Sequence, residues 1–109
     1  MDYKRILEII LDIGEAMLNC GAEVSRVEDC LYRLCRSYGF TRANCWVMQT
    51  NMQATVETPD GEYYTQIRHV PGGEMNFDRL TALNSLSRTV CREVPDAPQL
   101  HKKIGRAHV

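Results

Sequence analysis

The stretch "GAEVSRVED" at residues 21–29 decides the N-terminal fold, because it joins two segments with helical periodicity. Residues 3–20 carry nonpolar side chains over an arc about twice the ~100° stripe of a helix with one neighbour. Residues 22–38 carry a narrower nonpolar stripe that starts at Val24 and Val27. Gly21 suits the left-handed conformation that ends a helix. The pattern therefore predicts a helical hairpin with a tight turn.

The wide nonpolar arc of the first helix has two interpretations. The helix is central and buried on several sides, or it also docks on a partner outside this chain. Glu8, Asp12 and Glu15 interrupt its segment "ILEIILDIGEAML". A membrane-spanning helix needs about 20 mostly apolar residues, and a signal peptide needs an uninterrupted apolar core, so neither is predicted here.

The rest of the chain alternates strand and turn signals before a last helical segment. Residues 44–50, 52–58 and 62–70 are rich in strand-forming residues, and "TPDG" at 58–61 predicts a hairpin turn. Asn76 is a good N-cap for a helix that runs to about Val94. These elements predict an α+β fold in which a helical hairpin, a three-stranded antiparallel sheet and a C-terminal helix pack as two layers.

Domain organisation follows from the same pattern. We expect residues 1–94 to form a single soluble α+β domain, since 109 residues bury one core. Pro95 and Pro98 end the third helix. Residues 95–109 are expected to form a short C-terminal extension, weakly helical or frayed, that leads toward a membrane domain outside this chain.

Composition narrows the classes of function. The net charge of −1 and the scattered basic residues give no reason to expect nucleic acid as a partner. Trp46, Tyr63 and Tyr64 are therefore expected to pack on the sheet rather than to stack on bases. The five cysteines contain no C-x-x-C pair, so no metal site is predicted, and their odd number favours a reducing compartment. No phosphate-binding or dinucleotide-binding glycine motif occurs, so no cofactor is expected.

Charged residues of the second helix have two interpretations. Glu23 and Glu28 project to opposite edges of the nonpolar stripe. A ladder of charged residues follows the polar side, formed by Arg26, Asp29, Arg33 and Arg36. The ladder is a solvated surface with favourable i, i+3 and i, i+4 pairs, or it is a polar surface that binds a ligand or partner. In the second case Glu23 is partly buried at its edge and needs a cation or hydrogen-bond donors.

Four segments, "GAEVSRVED", "SYGF", "VETPDGEYYTQIRHV" and "NFDRLTALNSLSR", occur in an order and spacing that resemble the N-terminal domain of the threonine/serine exporter family. The resemblance covers residues 7–94. The motif residues of the family fall on Gly21, Glu23, Arg26, Glu28, Asp29, Asp78, Arg79, Asn84 and Ser87. Among them, the candidates for ligand binding or partner docking are Glu23, Arg26, Glu28, Asp29, Arg79 and Asn84. No catalytic residue or metal ligand is predicted.

The resemblance implies a domain on the cytoplasmic face of the cell membrane, in an exporter of small polar metabolites such as threonine, serine or dicarboxylates like succinate. No membrane bundle is present in this chain, so we expect a role in gating, assembly or ligand sensing rather than transport itself. The expected partners are the transmembrane domain of the same protein or a second small membrane subunit, a small amino acid or dicarboxylic acid, and further copies of the chain in a homo-oligomer.

Two other functions stay open beside this expectation. The first is a small hydrolase-like enzyme that uses the acids of the second helix. It is disfavoured because Glu23 and Glu28 lie on opposite edges of that helix. In addition, Ser25 has no His within a turn, and Ser87 is expected to face the core. The second is an oligomerising interaction module. A non-enzymatic role is therefore predicted.

Overall fold

A computed structural model describes residues 1–108 of the chain, with side chains described through residue 105. The elements are α1 Tyr3–Asn19, α2 Val24–Ser37, β1 Arg42–Val47, β2 Asn51–Glu57, β3 Tyr63–His69, α3 Phe77–Glu93 and α4 Ala97–His108. The strands form an antiparallel sheet in the order β1-β2-β3, and all the helices lie on one side of it. The predicted α+β fold is confirmed. Among the described residues, no helix is long and apolar enough to cross a membrane.

The turn between α1 and α2 holds the start of α3. Gly21 has φ +93°, as its predicted place after α1 requires, and a Cβ there would lie 2.6 Å from Met75 Sδ. The amide of Asn76 donates to the carbonyl of Cys20 over 3.1 Å. The N-terminal ends of α2 and α3 therefore lie side by side.

The opposite ends of α2 and α3 are also joined. Tyr38, the C-cap of α2, is buried, and its hydroxyl donates to the carbonyl of Pro95 just beyond α3 over 2.6 Å. Burial raises the pKa of Tyr38 well above its ordinary value, and the nearby Cys91 and Asp96 add to this effect. With both ends joined, the two helices run in the same direction.

Helix α1 lies at the centre of the domain. Its nonpolar side chains from Ile6 to Met17 are at most 4% exposed, and the helix contacts α2, α3, α4 and β3. The segment after Pro95 forms the regular helix α4, in which Leu100 is fully buried and Ile104 is 4% exposed. The interpretation that α1 docks on an absent partner is therefore wrong. Helix α4 covers the surface that the sequence left unassigned.

The polar side of α1 is bound to the sheet. Arg68 of β3 forms ion pairs with Asp12 and, over 3.7 Å, with Glu15. It also donates to the carbonyl of Glu8 over 3.3 Å. Two of the three acids that interrupt the nonpolar segment of α1, Asp12 and Glu15, therefore bind β3 to α1.

The sheet buries one face and exposes the other. Cys45, Val47, Met52, Ala54 and Val56 point toward the helices and are buried. On the other face, Trp46 is 62% exposed, Tyr63 61% and Ile67 69%. The expectation that Trp46 and Tyr63 pack on the domain is wrong, since the alternation of side chains along a strand turns them away from the helices. Tyr64, on the inner face, is half-buried.

Candidate functional site

A cleft of about 640 Å³ lies between α2 and α3. Each helix contributes one polar strip, and Met17 of α1 is a further lining residue. The strip of α2 consists of Arg26, Asp29, Cys30 and Arg33, and that of α3 of Asn84, Ser87, Arg88 and Cys91. The volume of the cleft falls in the range of about 300–1,000 Å³ that is common for small-molecule sites.

Helical geometry explains why these residues meet. Both strips have the spacing i, i+3, i+4, i+7, which places side chains on one face of a helix. In α2 the neighbouring face carries Val27, Leu31 and Leu34 into the core, and in α3 it carries Leu83 and Val90. Because the two helices run in the same direction, the strips lie opposite each other along the cleft.

The cleft carries an excess of positive charge. Arg26, Arg33 and Arg88 supply three guanidinium groups against the single carboxylate of Asp29. In the part of the chain that the structure describes, Arg26, Asp29 and Arg33 form no ion pair, although the sequence favours the pairs Arg26–Asp29 and Asp29–Arg33. Arg88 donates to Ser85 Oγ over 3.3 Å. Three charged side chains of α2 are therefore left to solvent or to a ligand.

The neutral groups of the cleft are hydrogen-bond partners rather than nucleophiles. Ser87 Oγ donates to the carbonyl of Asn84 over 2.8 Å. Burial raises the pKa of the Cys30 thiol above its ordinary value, although a hydrogen bond with Ser87 and the charge of Arg33 oppose the shift. A thiol with a raised pKa stays protonated at neutral pH and is a poor nucleophile. The cleft is equipped to bind polar groups.

Glu23 lies outside the cleft. We expected a partly buried carboxylate, but Glu23 is exposed, and this expectation is wrong. The reason is local: Glu23 is the N-cap of α2, with extended φ −67° and ψ 141°. Its side-chain direction therefore does not follow the 100° per residue that places side chains within the helix. Its position still suits the positive end of the helix dipole.

Glu28 is half-buried at the other edge of α2, as expected, and its carboxylate binds the sheet. Glu28 Oε2 accepts from the amide of Val47 in β1 over 3.1 Å. The two acids of the hydrolase-like alternative therefore do not share a site. No cluster of three or more His, Cys, Asp or Glu that could hold a metal occurs among the described residues.

The other predicted residues divide between the cleft and the start of α3. Arg26, Asp29 and Asn84 line the cleft together. Arg79 is half-buried in the first turn of α3 and is not a lining residue, and its amide donates to Asn76 Oδ1 over 3.1 Å. That bond confirms Asn76 as the N-cap.

Sequence reasoning did not select all the lining residues. Cys30, Arg33, Arg88 and Cys91 were outside the candidate set, although Arg33 belongs to the charge ladder. The useful signal was the repeated i, i+3, i+4, i+7 spacing of polar or small residues on two separate helices. That signal becomes specific only when the two strips are known to face each other.

Comparison with known proteins is consistent with the resemblance seen in the motifs. A sequence profile of the threonine/serine exporter family, ThrE, matches residues 8–107, nearly the whole chain. No curated protein and no solved structure shows significant similarity to the chain.

Proposed function

Since this chain belongs to the threonine/serine exporter family, we propose that it is the ligand-sensing part of such an exporter, on the cytoplasmic face of the cell membrane. Transport is carried by membrane-spanning helices, which belong to the same protein or to a second small membrane subunit. The cleft between α2 and α3 binds a small carboxylate-bearing metabolite and reports its presence to those helices. The observation that carries this proposal is the cleft lined by three guanidinium groups.

The chemistry of the cleft matches the functional groups of threonine and serine. An arginine side chain binds a carboxylate through two parallel hydrogen bonds. Asp29 is placed to accept from an ammonium group, and Asn84 and Ser87 offer partners for a hydroxyl. A dicarboxylate such as succinate would engage two arginines but would leave Asp29 facing a second acid. An α-amino acid is therefore the better match.

The position of the cleft supports a sensing role. Helices α2 and α3 are joined at both ends, through Asn76 and Cys20 at one and through Tyr38 and Pro95 at the other. A ligand between them contacts both polar strips and changes the balance of charge along the cleft. A ligand that bridges the two strips would change the spacing of α2 and α3, and the membrane-spanning helices would respond to that change.

Ligand binding to the purified chain tests the cleft. Thermal unfolding with threonine or serine should show a rise in Tm, since a ligand at 100 times its Kd stabilises the native state by about 2.7 kcal/mol. Succinate at the same concentration should raise Tm less, and calorimetry measures the three affinities. Arg33→Gln should weaken binding at least about tenfold, a loss that one charge-assisted hydrogen bond of ~1.5–3 kcal/mol accounts for. Arg36→Gln is the matched control, because Arg36 is exposed on the same helix and does not line the cleft.

Export by the full transporter tests the role. Arg26→Glu reverses a charge of the cleft and should impair export of threonine or serine by cells that also hold the membrane subunit. Its purified form should still unfold cooperatively near the wild-type temperature. Unchanged export with this variant, or equal loss of binding with Arg33→Gln and Arg36→Gln, would contradict the proposal.

A further inference from the structure

The free edge of β1 is closed by side chains of α2. The amide of Cys45 donates to the hydroxyl of Tyr32 over 3.2 Å, and the amide of Val47 donates to the carboxylate of Glu28 over 3.1 Å. These are alternate residues of β1 whose backbone groups point away from β2. No further strand can add to this edge without breaking both bonds.

The outward-pointing backbone groups of β3 follow from the same alternation. The backbone amides of Cys45 and Val47 point away from β2, so the even-numbered residues of β1 bond to the odd-numbered residues of β2. The even-numbered residues of β2 therefore bond to the even-numbered residues of β3. The bonds from Thr58 N to Glu62 O and from Val70 N to Thr50 O, each 2.8 Å, also join even-numbered residues. Tyr63, Thr65 and Ile67 therefore direct their amides and carbonyls to the outside of the sheet.

This edge of β3 is open. Among the backbone groups of residues 1–108 and the side chains of residues 1–105, none bonds to the outward amides of Tyr63, Thr65 and Ile67, in contrast to those of β1. Unpaired edges are templates for another strand, and proteins that stay monomeric block them with proline, bulges, short strands or outward charges. Strand β3 has seven residues without proline, and the side chains of Tyr63, Thr65 and Ile67 on its outer face are uncharged.

We propose that β3 pairs antiparallel with β3 of a second copy of this chain, about a two-fold axis at Thr65. Only odd-numbered residues can form the hydrogen-bonded pairs of this ladder, because only they have free backbone groups. An axis at Thr65 places Ile67 opposite Tyr63 of the partner subunit, and the reverse. These are the two most exposed nonpolar residues of β3, and a pair of an aromatic and a β-branched residue stabilises a sheet. The result is one six-stranded sheet.

The charges along β3 fit the antiparallel arrangement. The strand is preceded by Asp60 and Glu62 and ends with Arg68 and His69. In the proposed register Glu62 lies opposite Arg68 of the partner subunit, and would join the acids Asp12 and Glu15 with which Arg68 already pairs within its own chain. A parallel arrangement would align like charges, which disfavours pairing. An axis at Gln66 would instead place Tyr63 opposite His69 of the partner subunit and lose the Glu62–Arg68 match.

Thr65 permits a test that depends on the register. In the proposed dimer the Cα atoms of the two Thr65 residues are about 5.5 Å apart, within the range that a disulfide bridges. Those of the two Tyr63 residues are about 14 Å apart, because four residues separate them along the strand. Thr65→Cys should therefore form a covalent dimer under mild oxidation with diamide, and Tyr63→Cys should not. The wild-type chain, treated in the same way, measures the background of cross-linking through its own half-buried Cys30 and Cys91.

Sedimentation equilibrium of the 109-residue chain measures the association itself. We expect a reversible dimer whose fraction rises with concentration. Thr65→Pro should abolish it, since it removes an outward amide and no backbone bond to β2. It also removes the 3.0 Å hydrogen bond between the hydroxyls of Thr65 and Thr55. Trp46→Lys should leave it unchanged, because Trp46 lies on β1 at the far side of the sheet.

Opposite results would overturn the proposal. A chain that stays monomeric at the highest measurable concentration, with no Thr65→Cys cross-link above background, excludes the edge pairing. A dimer lost with Trp46→Lys but kept with Thr65→Pro shows stacking of the outer faces instead. A cross-link through Gln66→Cys but not Thr65→Cys assigns a different axis. Circular dichroism shows whether each variant is folded. If Thr65→Pro does not fold, the cysteine variants still test the proposal.

Discussion

Helices α1 and α2 form one hairpin but use their surfaces in opposite ways. Every nonpolar side chain of α1 from Ile6 to Met17 is covered by the chain itself, and its acids Asp12 and Glu15 are paired with Arg68. Helix α2 is bound to β1 along one flank, through Glu28 and Tyr32, and presents unpaired charges along the other. A wide nonpolar arc therefore marks a central helix, and a narrow one leaves a polar flank that is available to a ligand.

The comparison also separates two roles within "GAEVSRVED". Gly21 and Glu28 hold the fold, through the turn beside Met75 and through the amide of Val47. Arg26 and Asp29 line the cleft. One short motif therefore serves structure and proposed binding at alternate positions, because a helix turns successive side chains by 100°. Substitutions at the structural positions should therefore lower the free energy of unfolding more than substitutions in the cleft.

Leu100→Ala in α4 should have the largest effect. It removes a fully buried side chain that helps cover α1, and such truncations lower the free energy of unfolding by about 2–5 kcal/mol. Urea denaturation followed by circular dichroism measures the loss. Gln99→Ala, at an exposed neighbouring position, is the control and should change it little. Equal, small effects from both would show that α4 does not cover α1.

Glu28→Ala should have the next largest effect, since it leaves the amide of Val47 without an acceptor. A buried donor that loses its partner costs about 1–3 kcal/mol of stability. Glu28→Gln keeps an acceptor oxygen and should recover part of the loss. Asp29→Ala, one residue away on the cleft side, is the contrast and should stay near wild type in the same denaturation experiment. If the two alanine variants were alike, the division between the flanks of α2 would be wrong.

Tyr38→Phe should show a smaller effect with a particular pH dependence. Loss of the bond to Pro95 costs about 1 kcal/mol at neutral pH. The folded chain raises the pKa of Tyr38, mainly through burial. Below the unfolded pKa of about 10 this contribution is fully present, and it is lost as pH rises from there toward the folded pKa, by up to about 1.4 kcal/mol per pH unit.

The measurement is the urea midpoint between pH 8 and pH 11. The wild-type midpoint should fall more steeply than that of Tyr38→Phe above pH 10. Tyr63→Phe, at an exposed position on the sheet, should keep the wild-type slope. Parallel slopes for wild type and Tyr38→Phe would refute the assignment of this alkaline sensitivity to Tyr38.

Arg33→Gln should have the smallest effect on stability, within about 0.5 kcal/mol, as is usual for exposed positions without partners. Removal of one of three like charges in the cleft relieves repulsion and offsets any lost packing. The free energy of unfolding, measured without ligand, is the test. A loss above about 1 kcal/mol would mean that Arg33 belongs to the fold and not to a binding surface.

Local patterns predicted most of the fold. Periodicity located α1, α2 and α3, and the turn chemistry of residues 58–61 located the hairpin, whose Gly61 has φ +87°. The same reasoning failed at Glu23, where an extended N-cap ends the helical rotation. It also left the extension after Pro95 undecided, because a 12-residue helix forms in water only when it packs on a partner.

The sequence by itself determined the α+β class, the hairpin at Gly21 and the polar strip on α2. These depend on interactions within about one turn of helix or one pair of strands. The tertiary structure alone decided that α4 covers α1, that the strips of α2 and α3 face each other, and that β1 has a closed edge while β3 has an open one. The physical reason is that the periodicity of a helix or strand fixes which side of the element each side chain faces. Which residues that side contacts depends on how segments distant in sequence pack together.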